Sequence, residues 1–444
     1  MKMTGFQLVS LGVFAALILI GVGAFATFGG VKRGEQVGTV VIWGTMDEAT
    51  MNGALATVRE QDSTMRGVTY VKKDAKTYVS DLVNAMASGK GPDLFMISQD
   101  QITSFSDKIG TVPYAAMSQQ VYTDSYIDEA QIFLTPTGAL ALPYAIDPMV
   151  MYFNRGLLSS GGFANPPQYW DDLLTMSPKL TLLDSSSNIT QSAVALGNWS
   201  NVLYAKDILA TLFIQAGDPI VTRNDAGVPT PVLGTIQSSD PHATENPATS
   251  ALQFYTEFSN PTKTTYSWNR ALPSSQDDFV AGNLVLYFGL ASDEPIVQSR
   301  NPNLKFGVAP MPQIQGVGTK VTFGQITGLA IPRTTTNPTG ALLAAEKLTS
   351  VTGVQALITE SKLPPVRRDI MVDTSKDAAQ AVFASSALIA RGWLDPDSAQ
   401  TDTLFQNMIE SVTSGAQDAN QAIFNADQLL QTMLHTNSFK TTTQ

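Results

Sequence analysis

The chain has 444 residues, long enough for two or three domains, and its net charge of −11 excludes a surface built for nucleic-acid phosphates. With 43% hydrophobic and 15% charged residues it has the balance of a globular protein with a sizeable core. Zero cysteines exclude disulfides, thiolate metal sites, a cysteine nucleophile and the acylated cysteine of a lipoprotein. The two histidines, His242 and His435, are far apart, so neither a histidine metal site nor a Ser-His-Asp triad is expected, and no cofactor is implied.

Residues 3–31 carry no charge, and 6–28 are almost wholly apolar. About 20 such residues can span a bilayer. Lys2 and the amino terminus supply a cytoplasmic positive end, although Lys32 and Arg33 weaken that signal. Ala24-Phe25-Ala26 also fits a signal-peptide cleavage site. The length of the run favours an N-terminal transmembrane helix over 1–30, with secretion after cleavage as the alternative. Both readings place the remainder outside the cytoplasm.

A first buried strand is expected over 39–43, ending in a small, polar loop that carries Thr45 and Asp47. Ligands of open α/β sheets collect beyond the carboxyl ends of strands, which makes Trp43, Thr45 and Asp47 cleft candidates. A helix follows over 49–60 and a strand over 68–71. Asp74 can cap a helix with apolar residues at Val79, Leu82, Val83 and Met86, stopped by Gly89, Gly91 and Pro92. A strand over 94–97 then delivers Ser98, Gln99 and Asp100 to the same rim. This β-α-β alternation implies parallel pairing and an α/β lobe.

The stretch 140–155 is the organising element. Pro143 and Pro148 fix their own φ and hold the preceding residues extended, and Met149 to Phe153 reads as a buried strand. An extended segment of this kind can leave one sheet and enter another, as a hinge between two lobes requires. Tyr144 and Asp147 would then stand at the mouth of the cleft; an ordinary strand with a proline-marked bulge is the competing reading. Beyond it, 165–174 suggests a Pro-initiated helix, 193–199 a strand, and 205–215 a helix ended by Gly217. Residues 218–247 read as loops with a hairpin, and 248–258 as a helix. Strands are expected over 284–288, 304–308 and 322–331, and helices over 341–350, 353–360, 404–412 and 422–433. A second proline-fixed joint lies at Leu363-Pro364-Pro365-Val366. Asp395-Pro396-Asp397 begins like a calcium loop, but Ala399 and Gln406 stand where that motif needs oxygen ligands and glutamate. No P-loop, G-x-G-x-x-G, H-E-x-x-H or G-x-S-x-G occurs.

The ordered motifs resemble those of the family 1 extracellular solute-binding proteins, the maltose-binding-protein-like receptors of ABC importers. They are the strand ending in Trp43 with Asp47, Gly91-Pro92-Asp93-Leu94-Phe95, and Leu142-Pro143-Tyr144 with Met151-Tyr152-Phe153-Asn154. Pro166-Pro167-Gln168-Tyr169-Trp170-Asp171-Asp172-Leu173-Leu174, Ala281-Gly282 and Phe323-Gly324 before Leu329-Ala330-Ile331 complete the set. The likeness runs from about 39 to 435. It implies two α/β lobes joined by crossings near 145–148, 322–326 and 363–367. Lobe one would hold 38–145 plus 327–363, and lobe two 148–322 plus 367–435.

By the same resemblance Trp43, Asp47, Asp100, Tyr144 and Asp147 line the first lobe's side of the cleft. Trp199, Trp268, Tyr287, Phe288, Gln325 and Trp393 are the candidates of the second lobe and hinge. Carboxylates suit sugar hydroxyls, and Trp268 or Trp393 can offer a flat face to a pyranose ring. Each aromatic also has a core-packing reading, and each aspartate a helix-cap or solvated-rim reading. The resemblance implies a monomeric, non-enzymatic receptor that closes over a carbohydrate or related polyol and delivers it to ABC permease subunits. Alternatives are the same fold for a peptide, glycerol phosphate or an anion, and a glycosidase using two of Asp47, Asp100 and Asp147 as acid and base. The absence of arginine and lysine among these candidates disfavours a strongly anionic solute.

Overall fold

The computed structural model describes residues 37–224, 228–235, 246–373, 375 and 377–442. The expected helix over 1–30 and His242 lie outside the described residues. Among the described residues no single helix is long and apolar enough to cross a membrane.

The amino-terminal part alternates strand and helix: β1 (Val40–Gly44), α1 (Glu48–Gln61), β2 (Val68–Lys72), α2 (Tyr78–Ala87) and β3 (Leu94–Ser98). β1 pairs in parallel with both β2 and β3, as the alternation predicts. Asp74 is not the cap of α2. Its carboxylate accepts from the Lys76 amide in a turn, and the helix starts later, at Tyr78, where burial of Tyr78, Leu82 and Met86 anchors it.

The stretch around Pro143 and Pro148 forms one unbroken 13-residue strand, β4 (Leu142–Asn154). The second half of the chain adds α3 (Trp170–Leu180), β5 (Ile189–Val194), α4 (Ala205–Gln215), α5 (Pro247–Glu257), α6 (Ser275–Ala281), β6 (Leu284–Leu290), α7 (Asp293–Arg300), β7 (Phe306–Pro310) and β8 (Thr322–Pro332). It closes with α8 (Pro338–Leu348), α9 (Val351–Ser361), α10 (Ala378–Leu388), α11 (Ser398–Thr413) and α12 (Ala419–Thr442). A hairpin does form within the 218–247 region, pairing Val221–Arg223 with Pro229–Pro231.

Two expected boundaries shift for local reasons. α3 starts at Trp170, past both prolines, because the Asp172 carboxylate accepts from the Gln168 and Tyr169 amides and so caps the helix there. β5 runs earlier than expected: Ser192 and Val194 pair with Leu284 and Leu286 of β6, and the chain turns at Gly197 with φ +91°.

The strand order β2-β1-β3-β8-β4-β6-β5 explains how two cores arise from one chain. The first half of β4 pairs antiparallel with β8, from Pro148 against Gly324 to Leu142 against Leu329. From Met149 onward β4 pairs with β6 and β7 instead. The side chains follow the same division. Leu142, Tyr144 and Ile146 pack in a first core with β1, β3, α1, α8 and α9, and Met149, Met151 and Tyr152 in a second core with α3, α4, α5, β6 and α11. β8 divides likewise, with Phe323 in the second core and Ile326 in the first. The strands stay paired through the crossing and are buried there except at Gln325, which is exposed, and Asp147 and Thr327, which are partly so; they connect two packed bodies by ordered backbone rather than by loops. The third passage differs from expectation. Val366 and Ile370 still pack in the first core, and the chain re-enters the second at Phe383.

Candidate functional site

Where β3 ends, the Gln99 side chain locks it to β8 at the crossing. Its Oε1 accepts from the Ile326 amide at 2.7 Å, and its Nε2 donates to the Gly324 carbonyl at 3.2 Å. Asp100 follows, accepting from the Ser98 hydroxyl. Opposite, the loop 199–204 leads from β5 into α4. Asn201 shapes it, donating to the carbonyls of Asn269 and Leu272 while accepting from Trp268 Nε1 at 3.0 Å. Tyr204, just before α4, is left-handed at φ +63°, an uncommon conformation for a side chain of that bulk, and its hydroxyl donates to Asp293. These segments enclose a cavity of about 400 Å³. Gln99, Asp100, Phe323 and Gln325 line it on one side. Trp199, Asn201, Tyr204, Lys206, Asp207 and Ser274 come from the second body, and Trp393, Asp395 and Asp402 from the stretch entering α11.

One ion network sits in its wall. Lys206 Nζ lies 2.8 Å from Asp395, 2.9 Å from Asp402 and 2.8 Å from the Thr401 hydroxyl, and 5.7 Å from the centre of the Trp393 ring. Burial pulls the Lys206 ammonium down, but Asp395 and Asp402 outweigh it and hold it above the ordinary lysine value. Burial pushes the Asp395 carboxyl up to about 6, against the pull of Lys206. Both partners are therefore ionised at neutral pH. Burial likewise pushes Asp207 up to about 7; Lys206 opposes this, and Asp100, Asp402 and Asp395 reinforce it.

Of the sequence candidates, the structure brings Asp100, Trp199, Gln325 and Trp393 together around the cavity. The others stand apart, each for a visible reason. Asp47 is the N-cap of α1, accepting from the Ala49 and Thr50 amides, and pairs on the surface with Lys72. The Thr50 amide first, and then Lys72, hold its carboxyl below the usual range. Trp43 lies under the Lys73 ammonium, 3.5 Å from the ring centre, and Thr45 is exposed beside it; neither lines the cavity. Tyr144 is wholly buried in the first core because alternation along β4 turns it inward. Asp147 is partly buried, but its carboxylate accepts from the Ser292 amide ahead of α7 instead of facing the cavity.

Trp268, Tyr287 and Phe288 belong to the second core, with 0%, 0% and 2% exposure. Trp268 supports Asn201 from behind, Tyr287 donates to Asp293 at 2.7 Å, and Phe288 packs edge-on against Trp170. The glycosidase pairing loses its geometry too, since of Asp47, Asp100 and Asp147 only Asp100 faces the cavity. Tyr287→Phe removes a donor to Asp293, which is 2% exposed. A cost of about 1–3 kcal/mol in urea unfolding is expected, with solute affinity unchanged.

Lys206, Asp207, Asn201, Tyr204 and Asp402 escaped the sequence reading. The signal was present in part. Lys206 and Asp207 open a helix that follows a strand end, the place where ligands collect, and two charges there interrupt an otherwise apolar run.

Known proteins fit this architecture. Residues 67–355 match the family model described as bacterial extracellular solute-binding protein. The sugar-binding protein MalE of Xanthomonas citri is similar in structure, with TM-score 0.71 and 16% identity over 91% of this chain and 100% of that one. A cyclo/maltodextrin-binding protein complexed with maltotetraose gives TM-score 0.70 and 17% identity over 90% and 97%. UgpB from Mycobacterium tuberculosis, in complex with glycerophosphocholine, gives 0.68 and 17% over 90% and 98%. At such identities these likenesses establish the mixed α/β two-lobed fold. The family match spans more than half of the sequence, and the chain belongs to the bacterial extracellular solute-binding proteins, a family of binding proteins rather than enzymes.

Proposed function

We propose that this chain is the extracytoplasmic receptor of an ABC importer, and that it captures a carbohydrate or related polyol between its lobes. One observation carries the reading: the cavity lies where β3 and β8 of the first core meet α4 and the 393–402 segment of the second. A volume of about 400 Å³ is within the range of small-molecule sites, roughly 300–1,000 Å³. Its lining mixes aromatic faces with amides and carboxylates, as sugar recognition requires, and the maltotetraose-bound neighbour supports that class. The lobes comprise 38–145 plus 327–370, and 148–322 plus the chain from Phe383 to 435, because Val366 and Ile370 pack in the first core and Phe383 in the second, with Ala387 and Ala390 returning to touch the first.

Trp199, Trp393, Asp100 and Gln325 are the contacts assigned from both sequence and cavity, joined by Asn201, Tyr204 and Asp207. A solute touching both lobes stabilises the closed state over the open one, and differential affinity alone sets that shift. Moving a population from 1:99 to 99:1 takes about 5.5 kcal/mol. The segment 1–30 holds the receptor at the membrane beside its permease, raising their effective concentration. A thermal-shift panel of mono- and oligosaccharides, glycerophosphodiesters and peptides tests the reading. Stabilisation by a saccharide without turnover is expected, lost about tenfold or more in affinity in Trp199→Ala. Stabilisation by peptides alone would overturn the carbohydrate class, and release of reducing ends would overturn the receptor.

A further inference from the structure

The charges around the cavity do not balance. Four carboxylates line it, those of Asp100, Asp207, Asp395 and Asp402, against one cation, Lys206. Lys206 is already committed to Asp395 and Asp402 at 2.8 and 2.9 Å. Asp100 has only the Ser98 hydroxyl as a neighbour donor, and among the described residues nothing donates to the Asp207 carboxylate. These two unpaired groups come from opposite bodies: Asp100 follows β3 of the first core, and Asp207 stands in the first turn of α4 in the second. They are close enough to feel each other, since Asp100 contributes to raising the Asp207 carboxyl towards about 7.

Two acidic groups lining one cleft oppose its closing as they ionise, and a cation between them reverses that sign by favouring both ionised forms. The walls suit the same guest. Trp199, Tyr204 and Trp393 offer aromatic faces, whose negative quadrupole attracts ammonium groups, and Lys206 already stands near the Trp393 ring.

We propose that the solute bears a positively charged nitrogen, an amino sugar or an alkylammonium alcohol, seated between Asp100 and Asp207 against the aromatic wall. This rests on the receptor reading above and sharpens its substrate class. The cationic nitrogen replaces the missing counter-charge, so the solute with the charge closes the lobes and its neutral isostere does so less well.

The test uses isosteric pairs on the purified full-length chain: the chitosan disaccharide against cellobiose, and choline against 3,3-dimethylbutan-1-ol. Calorimetric titration at low and at raised salt should give the cationic member at least about tenfold tighter binding, with the ratio shrinking as salt rises. Asp207→Asn and, separately, Asp100→Asn should each weaken the cationic member of a pair far more than its neutral isostere, so that the tenfold preference shrinks to about twofold or less. The two variants guard against a folding defect in either one. Equal or tighter binding of the neutral members overturns the charge inference and leaves the receptor intact. Binding by no member of either pair also overturns it, and the receptor then stands or falls on the thermal panel.

Discussion

Lys206→Met is expected to lower the unfolding free energy by about 3–5 kcal/mol, the cost of removing one partner from a buried ion pair. Asp395 is 1% exposed and Lys206 9%, so water cannot take over the lost charge. The Thr401 hydroxyl would still donate to Asp395, but it cannot neutralise it. The pair itself need not be strongly stabilising, because removing two charges from water costs nearly what their attraction returns. The double variant Lys206→Met with Asp395→Asn should therefore recover most of the loss. Urea unfolding measures both. A single variant as stable as the parent would mean that water reaches Asp395 freely and that the wall of the cavity is looser than described.

The second large effect is a loss of stability as pH rises. Glu129 is 3% exposed; one carboxylate oxygen accepts from the Gly392 amide, and the other has no partner among the described residues. Burial pushes its carboxyl up to about 8, with the Gly392 amide and Arg391 pulling the other way. Burial also lifts Asp147 and Asp207 to about 7. In the unfolded chain these groups titrate near 4. Between about pH 4 and 8 the native state thus holds protons that the unfolded state has released.

Their stabilisation is complete below the unfolded values and is lost as pH climbs through the native ones, at about 1.4 kcal/mol per unit for each group. The melting temperature should fall by several degrees from pH 5 to pH 8. Glu129→Gln keeps an acceptor for the Gly392 amide and carries no charge. It should flatten much of that slope and exceed the parent's stability at pH 8. A parent melting temperature that holds level or rises over this interval would contradict the buried, protonated Glu129.

The fold was legible in the sequence wherever local signals and tertiary demands agreed. Leu94–Ile97 and Leu284–Leu290 are apolar runs buried on both faces, and Val40–Gly44 is buried on one face and partly covered on the other; they read as strands because such short apolar runs suit a covered sheet. Pro143 and Pro148 marked an extended crossing, and β4 is extended throughout. The site was less legible because sidedness depends on register. Tyr144 and Gln325 both lie on crossing strands, yet alternation buries one and presents the other to the cavity. Trp268 and Trp393 are alike in sequence and both buried, and only the fold reveals that one backs Asn201 while the other walls the cavity. Asp47 served as a helix cap, the commoner use of an aspartate before a helical run. Lys206 and Asp207 belong to a helix that begins at the cavity, and their role follows from partners nearly 190 residues away in sequence.

Solute capture depends on two lobes that approach each other over a solute, and the absence of native cysteine allows a direct measurement. Cysteines at Thr45, exposed at the tip of β1, and at Lys263, exposed on the second body, can carry a pair of spin labels. Saturating solute from the panel should shift the inter-label distance to a new, narrower distribution, and the shift should vanish in Trp199→Ala. A distribution that stays the same while solute is bound would contradict closure and, with it, the receptor mechanism.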